Sequence, residues 1–218
     1  MENKQTERCG LVLVAPPDQS GVSFADRLTA ALEGGEVASV IFPAYDLDEA
    51  AYQAHLEVCI PVAQAHGAAA IVVNDTRAFG RTSADGLHVD TGIRDVAETV
   101  ERLNGSHIVG SGGAETRHKA LEMGEARPDY LFFGRFGQDT HPSPHRKNVD
   151  LAEWWASMVE IPCILMGGAS LDTLGEAAAT GTEFVALSRA VFGEGIDPAA
   201  AVAAANDILE SHSLGRDA

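Results

Sequence analysis

Asn74-Asp75-Thr76-Arg77 follows the apolar stretch Ile71-Val72-Val73 directly, which puts an amide and a carboxylate where a buried strand ends. A hard divalent cation such as Mg²⁺ takes one or two protein carboxylates and completes its shell with substrate phosphates, so Asp75 has the chemistry of a metal ligand. Asn and Asp at such a position also cap a following helix, and strand position alone leaves both roles open. A second carboxylate, Asp90, ends the stretch Gly86-Leu87-His88-Val89, with Asp95 shortly after it. Two adjacent strand ends therefore offer acid to one ion. His88 lies among apolar neighbours, where a histidine reads as a hydrogen-bonded core residue rather than a base.

Cationic chemistry is concentrated elsewhere. The longest irregular connection, 134–148, carries Arg135, Arg146 and Lys147 together with Thr140, His141 and His145. A connection of that length is normally a lid or a binding loop, and its positive charge suits it to attract and cover a phosphorylated ligand. Gly167-Gly168-Ala169-Ser170 and Ser188-Arg189 form a pair of turns one element apart. Backbone amides of a Gly-Gly turn and of a short helix start make a phosphate site, which assigns Gly167, Gly168, Ser188 and Arg189 to phosphate binding with Arg135. No Lys or Arg occurs between Arg27 and Arg77, and that stretch offers Phe42, Pro43, Tyr45 and Asp46 instead. One side of the site thus suits an anion and the other a flat ring.

Such loops need a scaffold that brings distant segments to one rim. Apolar runs at 11–15, 37–42, 68–73, 86–89, 107–109, 130–133, 163–166 and 184–187 alternate with Ala-rich helical stretches at 23–32, 48–65, 95–103, 115–123, 151–159, 171–179 and 198–210. Only the third connection, 77–84, is short. The alternation predicts βαβ units around a parallel sheet whose strands are covered on both faces. Eight units in 218 residues match an α/β fold of the single (β/α)₈ TIM barrel type, with polar tails at 1–9 and 213–218 and the barrel at 10–212. A doubly wound open sheet is the runner-up, but its Gly-rich first turn is replaced by Ala15-Pro16-Pro17-Asp18-Gln19-Ser20-Gly21. In a barrel the chemistry sits in the loops after the strands, which is where all the groups above fall.

The 32 acidic residues exceed the 15 basic ones by 17, a surface that works against nucleic acid and anionic membrane as partners. No apolar stretch reaches the length of a membrane span and the opening residues are polar, so a cytoplasmic location is expected. Cys9, Cys59 and Cys163 are widely spaced and odd in number, which fits buried thiols rather than a disulfide set or zinc site. The expected partner is a phosphorylated small molecule, and the outer helix faces permit a homodimer.

The motifs, in this order, resemble the thiamine phosphate synthase family and its thiazole tautomerase relatives. The likeness spans nearly the whole chain. It rests on Ile71-Val72-Val73-Asn74-Asp75-Thr76-Arg77, Ala84-Asp85-Gly86-Leu87-His88-Val89, Ile108-Val109-Gly110-Ser111, Asp129-Tyr130-Leu131-Phe132-Phe133-Gly134 and Pro162-Cys163-Ile164-Leu165-Met166-Gly167-Gly168. The resemblance implies joining of hydroxymethylpyrimidine pyrophosphate to a thiazole phosphate with Mg²⁺ as cofactor. Pyrophosphate leaves first, and the thiazole nitrogen captures the resulting pyrimidine carbocation. It also implies that Asn74 contacts the pyrophosphate, Asp75 binds Mg²⁺, Lys147 with Thr140 acts after strand 6, and Gly168 with Ser188 holds the thiazole phosphate. The family's Gln-x-Arg-x-Lys at strand 2 falls on Val40-Ile41-Phe42-Pro43-Ala44, and its second metal aspartate falls on Ile93, leaving Asp90 or Asp95. The serine expected after strand 5 falls on Gly112. A tautomerase using His141 and His145 as bases, or a non-catalytic phosphate-binding barrel, are the alternatives.

Overall fold

The computed structural model describes residues 8–103 and 105–214. Eight short strands form along the chain: β1 (Gly10–Val14), β2 (Ser39–Phe42), β3 (Ala69–Val73), β4 (Gly86–Val89), β5 (Ile108–Ser111), β6 (Tyr130–Phe133), β7 (Cys163–Met166) and β8 (Phe184–Leu187). Each pairs in parallel with its sequence neighbours, and β1 pairs with β8, so the sheet closes into the expected barrel. Alternation of side chains divides the apolar residues between two cores. Val12, Val14, Ile41, Ile71, Val73, Tyr130, Phe132, Ile164 and Met166 fill the barrel. Leu11, Leu13, Val40, Phe42, Val72, Leu131, Phe133 and Leu165 face outward onto the helices. Continuous apolar runs are what strands covered on both faces require.

The helices are α1 (Gly21–Glu33), α2 (Glu49–Ala65), α3 (Thr76–Arg81), α4 (Ile93–Leu103), α5 (Arg117–Glu125), α6 (Arg146–Met158), α7 (Leu174–Ala178), α8 (Arg189–Phe192) and α9 (Pro198–Leu214). A 3-10 turn at Leu171–Thr173 precedes α7. The start of α9 suits Pro198, whose fixed φ and missing N–H cost nothing at a first helical position. Among the described residues no helix is long and apolar enough to cross a membrane. The three cysteines are buried thiols, none of them in a disulfide.

Several boundaries differ from the sequence expectation by a few residues, most of all the start of α6. Helix α6 begins at Arg146, not at 151, because His145 caps it by accepting from the Lys147 amide at 3.2 Å. The irregular connection after β6 therefore ends at His145, and Arg146 and Lys147 belong to a helical first turn. Of the expected tails, residues 1–7 and 215–218 lie outside the described residues. Cys9 is buried in the core, and Arg8 reaches Asn206 Oδ1 at 2.6 Å, which ties the entry to β1 against α9.

Carboxylates at the N-terminal rim complete the barrel. Asp85 accepts from the Ala70 amide at 2.8 Å, Asp129 from Val109 at 2.7 Å and Glu183 from Cys163 at 2.9 Å. Each satisfies an amide of the preceding strand that the ladder leaves open. Asp85 and Asp129, both parts of family motifs, thus hold strands together at the rim opposite the loops that carry chemistry.

Candidate functional site

At the opposite rim, two corners and the connection between β6 and α6 bring the expected residues together. The first corner is built by Asn74, which adopts φ +57 and turns the chain from β3 towards α3. Asparagine is among the few residues that accept this left-handed conformation readily. Its side chain crosses to the end of β4: the Asn74 amide donates to Asp90 Oδ1 at 2.6 Å, and the Asp90 backbone N–H donates to Asn74 Oδ1 at 3.0 Å. Asp75 caps α3, its Oδ1 accepting from the amides of Arg77 at 2.9 Å and Ala78 at 2.8 Å. Both bonds fall on Oδ1, so Oδ2 stays available and capping does not exclude metal ligation.

Among the described residues no three His, Cys, Asp or Glu side chains cluster closely enough to hold a metal. Asp75 and Asp90 fit Mg²⁺ only as the small carboxylate set that this ion accepts when substrate phosphates supply further oxygens.

His88 forms the floor of this corner. It is buried, its Nδ1 lies 3.0 Å from the Tyr130 hydroxyl, and its ring stacks on Tyr130 and meets Phe132 and Phe136 edge-on. Burial lowers its pKa to about 4, against a smaller opposing effect of the Asp90 charge, so the ring is neutral at pH 7. The same ring explains a residue choice on β5's exit. A Cβ at Gly112 would sit 2.6 Å from His88 Nε2, so a serine there would collide with the imidazole.

The second corner joins Gly167 and Gly168, after β7, to Ser188 and Arg189, at the start of α8. The amides here have acceptors supplied by the chain itself. Asp139 is buried and its Oδ2 accepts from the Arg189 amide at 2.7 Å. The carbonyls of His141 and Pro142 accept from the amides of Ala169 at 2.8 Å and Ser170 at 3.3 Å, and Thr173 donates to Pro142 at 3.0 Å. Gly168 is pressed so closely against the Pro142 carbonyl that a Cβ would clash with it. Ser188 Oγ and Asp139 Oδ1 are buried with no hydrogen-bond partner. Tyr45, from the loop after β2, donates to the Ala15 carbonyl at 2.9 Å. Its pKa is raised, by burial first and then by Asp139, which marks that carboxylate as a neighbour.

Between the corners lie two adjoining chambers. One, about 590 Å³, is lined by Pro43, Tyr45, Asn74, His88, Asp90 and Phe136 among others. The other, about 510 Å³, is lined by Asp139, His141, Ser143, His145, Lys147 and Gly167 among others. Glu115, Arg135 and Gln138 line both and form the shared wall. Arg135 donates to Glu115, and that bond and charge, followed by the charge of Lys147, hold the Glu115 carboxyl below its ordinary pKa. Thr140 and Lys147 are exposed at this rim, and Arg146 pairs with Asp150 along α6, pointing its charge into the helix surface.

Sequence reasoning missed Glu115, Gln138 and Asp139. Glu115 was assigned to a helix, but it precedes the cap Thr116 and so lies in the exit loop of β5. Its position just after Gly112-Gly113-Ala114 was the available signal. Asp139 sits within a stretch that attracted attention for its cations, and nothing local marks its carboxylate as buried.

Comparison with known proteins bears on the whole of this arrangement. A family model described as thiamine monophosphate synthase matches residues 11–191. The thiamine-phosphate synthase of Rhodospirillum centenum is 32% identical over 202 residues, covering 92% of this chain and 98% of that one. The thiamine-phosphate synthase of Erythrobacter litoralis is 33% identical over 188 residues, covering 84% and 87%. Among solved structures, the thiamine phosphate pyrophosphorylase from Pyrococcus furiosus superposes with a TM-score of 0.78 at 18% identity, over 95% of this chain and 98% of that one. At that identity it speaks for the barrel alone.

Proposed function

The chain belongs to the thiamine monophosphate synthase family, and on that premise we propose that it is a transferase that couples hydroxymethylpyrimidine pyrophosphate to thiazole phosphate and releases pyrophosphate. The observation that carries the reading is the pair of chambers with a common wall. A condensation needs two ligands side by side with their reacting atoms in contact, and one wall shared by two cavities supplies that proximity.

The first chamber suits the pyrimidine. Tyr45, Phe136 and neutral His88 offer ring faces and edges, and a neutral imidazole does not repel a forming carbocation. The second chamber suits the thiazole phosphate, with Lys147, Ser143 and Asn148 on its lining. In the reaction the bond from the pyrimidine methylene to oxygen breaks, its electron pair leaving with pyrophosphate. The thiazole nitrogen lone pair then forms the new C–N bond. Magnesium, when bound by Asp75 and Asp90, supplies positive charge against the departing pyrophosphate. Asn74 holds Asp90 in place for that role.

Neither strand 2 cation of the family is present, and three arginines are the available replacements. Arg81 is engaged with Glu49 at 3.1 Å on the outer helices, and Arg77 lines neither chamber. Arg135 lines both. Its pairing with Glu115 is solvent-exposed, and exposed pairs are weak, so the guanidinium can turn to a departing pyrophosphate at little cost. Arg135 is therefore the cation assigned to the leaving group, with Lys147 next to it on the lining of the second chamber; Thr140, exposed at the rim, lines neither chamber. The test is mass-spectrometric detection of thiamine phosphate after incubation with both substrates and Mg²⁺, with and without chelator. Chelator-sensitive product is expected; no product at high enzyme concentration rejects the reading.

A further inference from the structure

The β7/β8 corner has the donors for a phosphate, yet the chain's own segment 139–142 occupies three of them. Three acceptors from that segment meet three amides of the corner: the Asp139 carboxylate on Arg189, the His141 carbonyl on Ala169 and the Pro142 carbonyl on Ser170. A carboxylate on an amide at a helix start is the usual stand-in for a phosphate oxygen. Three orphaned atoms mark the contact as an exchangeable one. Ser188 Oγ, fully buried, has no partner, and neither Asp139 Oδ1 nor Arg189 Nε, both buried, has one. Buried polar atoms are nearly always satisfied, so an orphaned hydroxyl, carboxylate oxygen and guanidinium N–H at one corner point to a partner exchanged in another state.

We propose that Asp139 is an internal competitor for the phosphate corner that lowers this enzyme's apparent affinity for the phosphorylated ligand: segment 139–142 fills three of the donors, and phosphate reaches them only as that segment withdraws. The inference rests on the assignment of this corner to the thiazole phosphate. Neither anion tolerates the other. With the Asp139 carboxylate in place, a phosphate at the Ser188 hydroxyl meets a like charge in a buried setting, where screening by water is weak. Withdrawal frees the amides of Ala169, Ser170 and Arg189 together, because one short segment covers all three. Pro142 and Pro144 limit the shapes that segment adopts, so it leaves as a unit. A ligand lacking phosphate gains nothing from the exposed amides and leaves the plug in place. If the withdrawn form is about one part in a hundred at rest, apparent phosphate affinity falls about a hundredfold below its intrinsic value.

The test measures binding of inorganic phosphate by calorimetry to the wild-type chain and to Asp139→Ala and Asp139→Asn, with circular dichroism to verify folding. Removing the carboxylate is expected to tighten phosphate binding by about 10- to 100-fold in Asp139→Ala. Asp139→Asn, which keeps an acceptor for the Arg189 amide but loses the charge, is expected to lie between. A purely structural Asp139 predicts the reverse pattern, with Asn like wild type and Ala weaker, and that outcome overturns the proposal. Phosphate binding that is equal in all three, or absent from all three, overturns it as well. The thiamine phosphate assay separates the two ideas. Product from wild type with unchanged phosphate affinity in Asp139→Ala rejects the competitor and keeps the synthase. Tighter phosphate binding in the variant without product from wild type keeps the competitor and rejects the synthase.

Discussion

The β3/β4 and β7/β8 corners stand on the same rim, each made of a strand end, a polar residue and a short helix start. At the β3/β4 corner the polar groups satisfy one another while leaving atoms over. Asn74 and Asp90 exchange two hydrogen bonds, Asp75 caps α3 through one oxygen, and its other oxygen stays available. At the β7/β8 corner a segment from a distant loop satisfies three amides, and three side-chain atoms stay orphaned: Ser188 Oγ, Asp139 Oδ1 and Arg189 Nε. The lesson is that a barrel fixes where binding groups stand without fixing whether they are free. Local bonds pre-organise the first corner, and a long-range contact closes the second.

The largest expected effect comes from Lys147→Ala, which removes a cation from the lining of the second chamber. A lost charge-stabilising donor lowers kcat by about 10²- to 10³-fold. Steady-state rates with both substrates check it, and a change below tenfold would mean that Arg135 alone handles the leaving charge. Next comes Asp75, where capping and metal binding separate cleanly. Asp75→Asn keeps the cap, so the melting temperature holds while kcat/KM falls about 10- to 100-fold at limiting Mg²⁺. Asp75→Ala loses the cap as well, costing about 1 kcal/mol, or about 2 to 4 °C in Tm for a chain of this size. Equal activity of Asp75→Asn and wild type across a Mg²⁺ titration would remove the metal from the open corner.

His55 lies under neither corner and serves as the control. Packed between Phe24 and Phe42, it accepts from the Gly21 amide at 3.0 Å, and burial lowers its pKa to about 4. Between pH 4 and 6.5 the unfolded chain binds the proton that the folded chain refuses. Its contribution is therefore present at neutral pH and lost as pH falls through that window, at about 1.4 kcal/mol per pH unit at most. Urea unfolding at pH 7, 5.5 and 4.5 checks the slope, and His55→Gln should reduce it, leaving the part that buried His88 contributes. The smallest effect is expected from replacing His141 and His145 together with Gln. His145 uses Nδ1 to cap α6, which takes that nitrogen from proton transfer. Turnover should fall less than tenfold, whereas abolition with intact phosphate binding would turn the site into that of a tautomerase.

Much of this was legible in the chain. Runs of apolar residues at regular spacing yielded all eight strands, because a strand covered on both faces must be apolar throughout. The motifs at 71–77, 84–89 and 163–168 located both corners, since a barrel places every strand exit on one rim. The start of α6 was misjudged by five residues because Arg146-Lys147-Asn148 are polar and the cap at His145 is a geometric feature. His88 was correctly taken as a core residue from its neighbours alone.

What only the tertiary structure decided is which polar groups meet. Asp139 and Arg189 are 50 positions apart, Arg135 and Glu115 are 20 apart, and Asn74 and Asp90 are 16 apart. Local pattern carries the period of an element and the residue types at its ends, so fold and rim position follow from sequence. Partnership across loops depends on chain path and burial, and no local pattern records it. That is why the β7/β8 corner was visible as a set of donors, and the Asp139 contact with it was not.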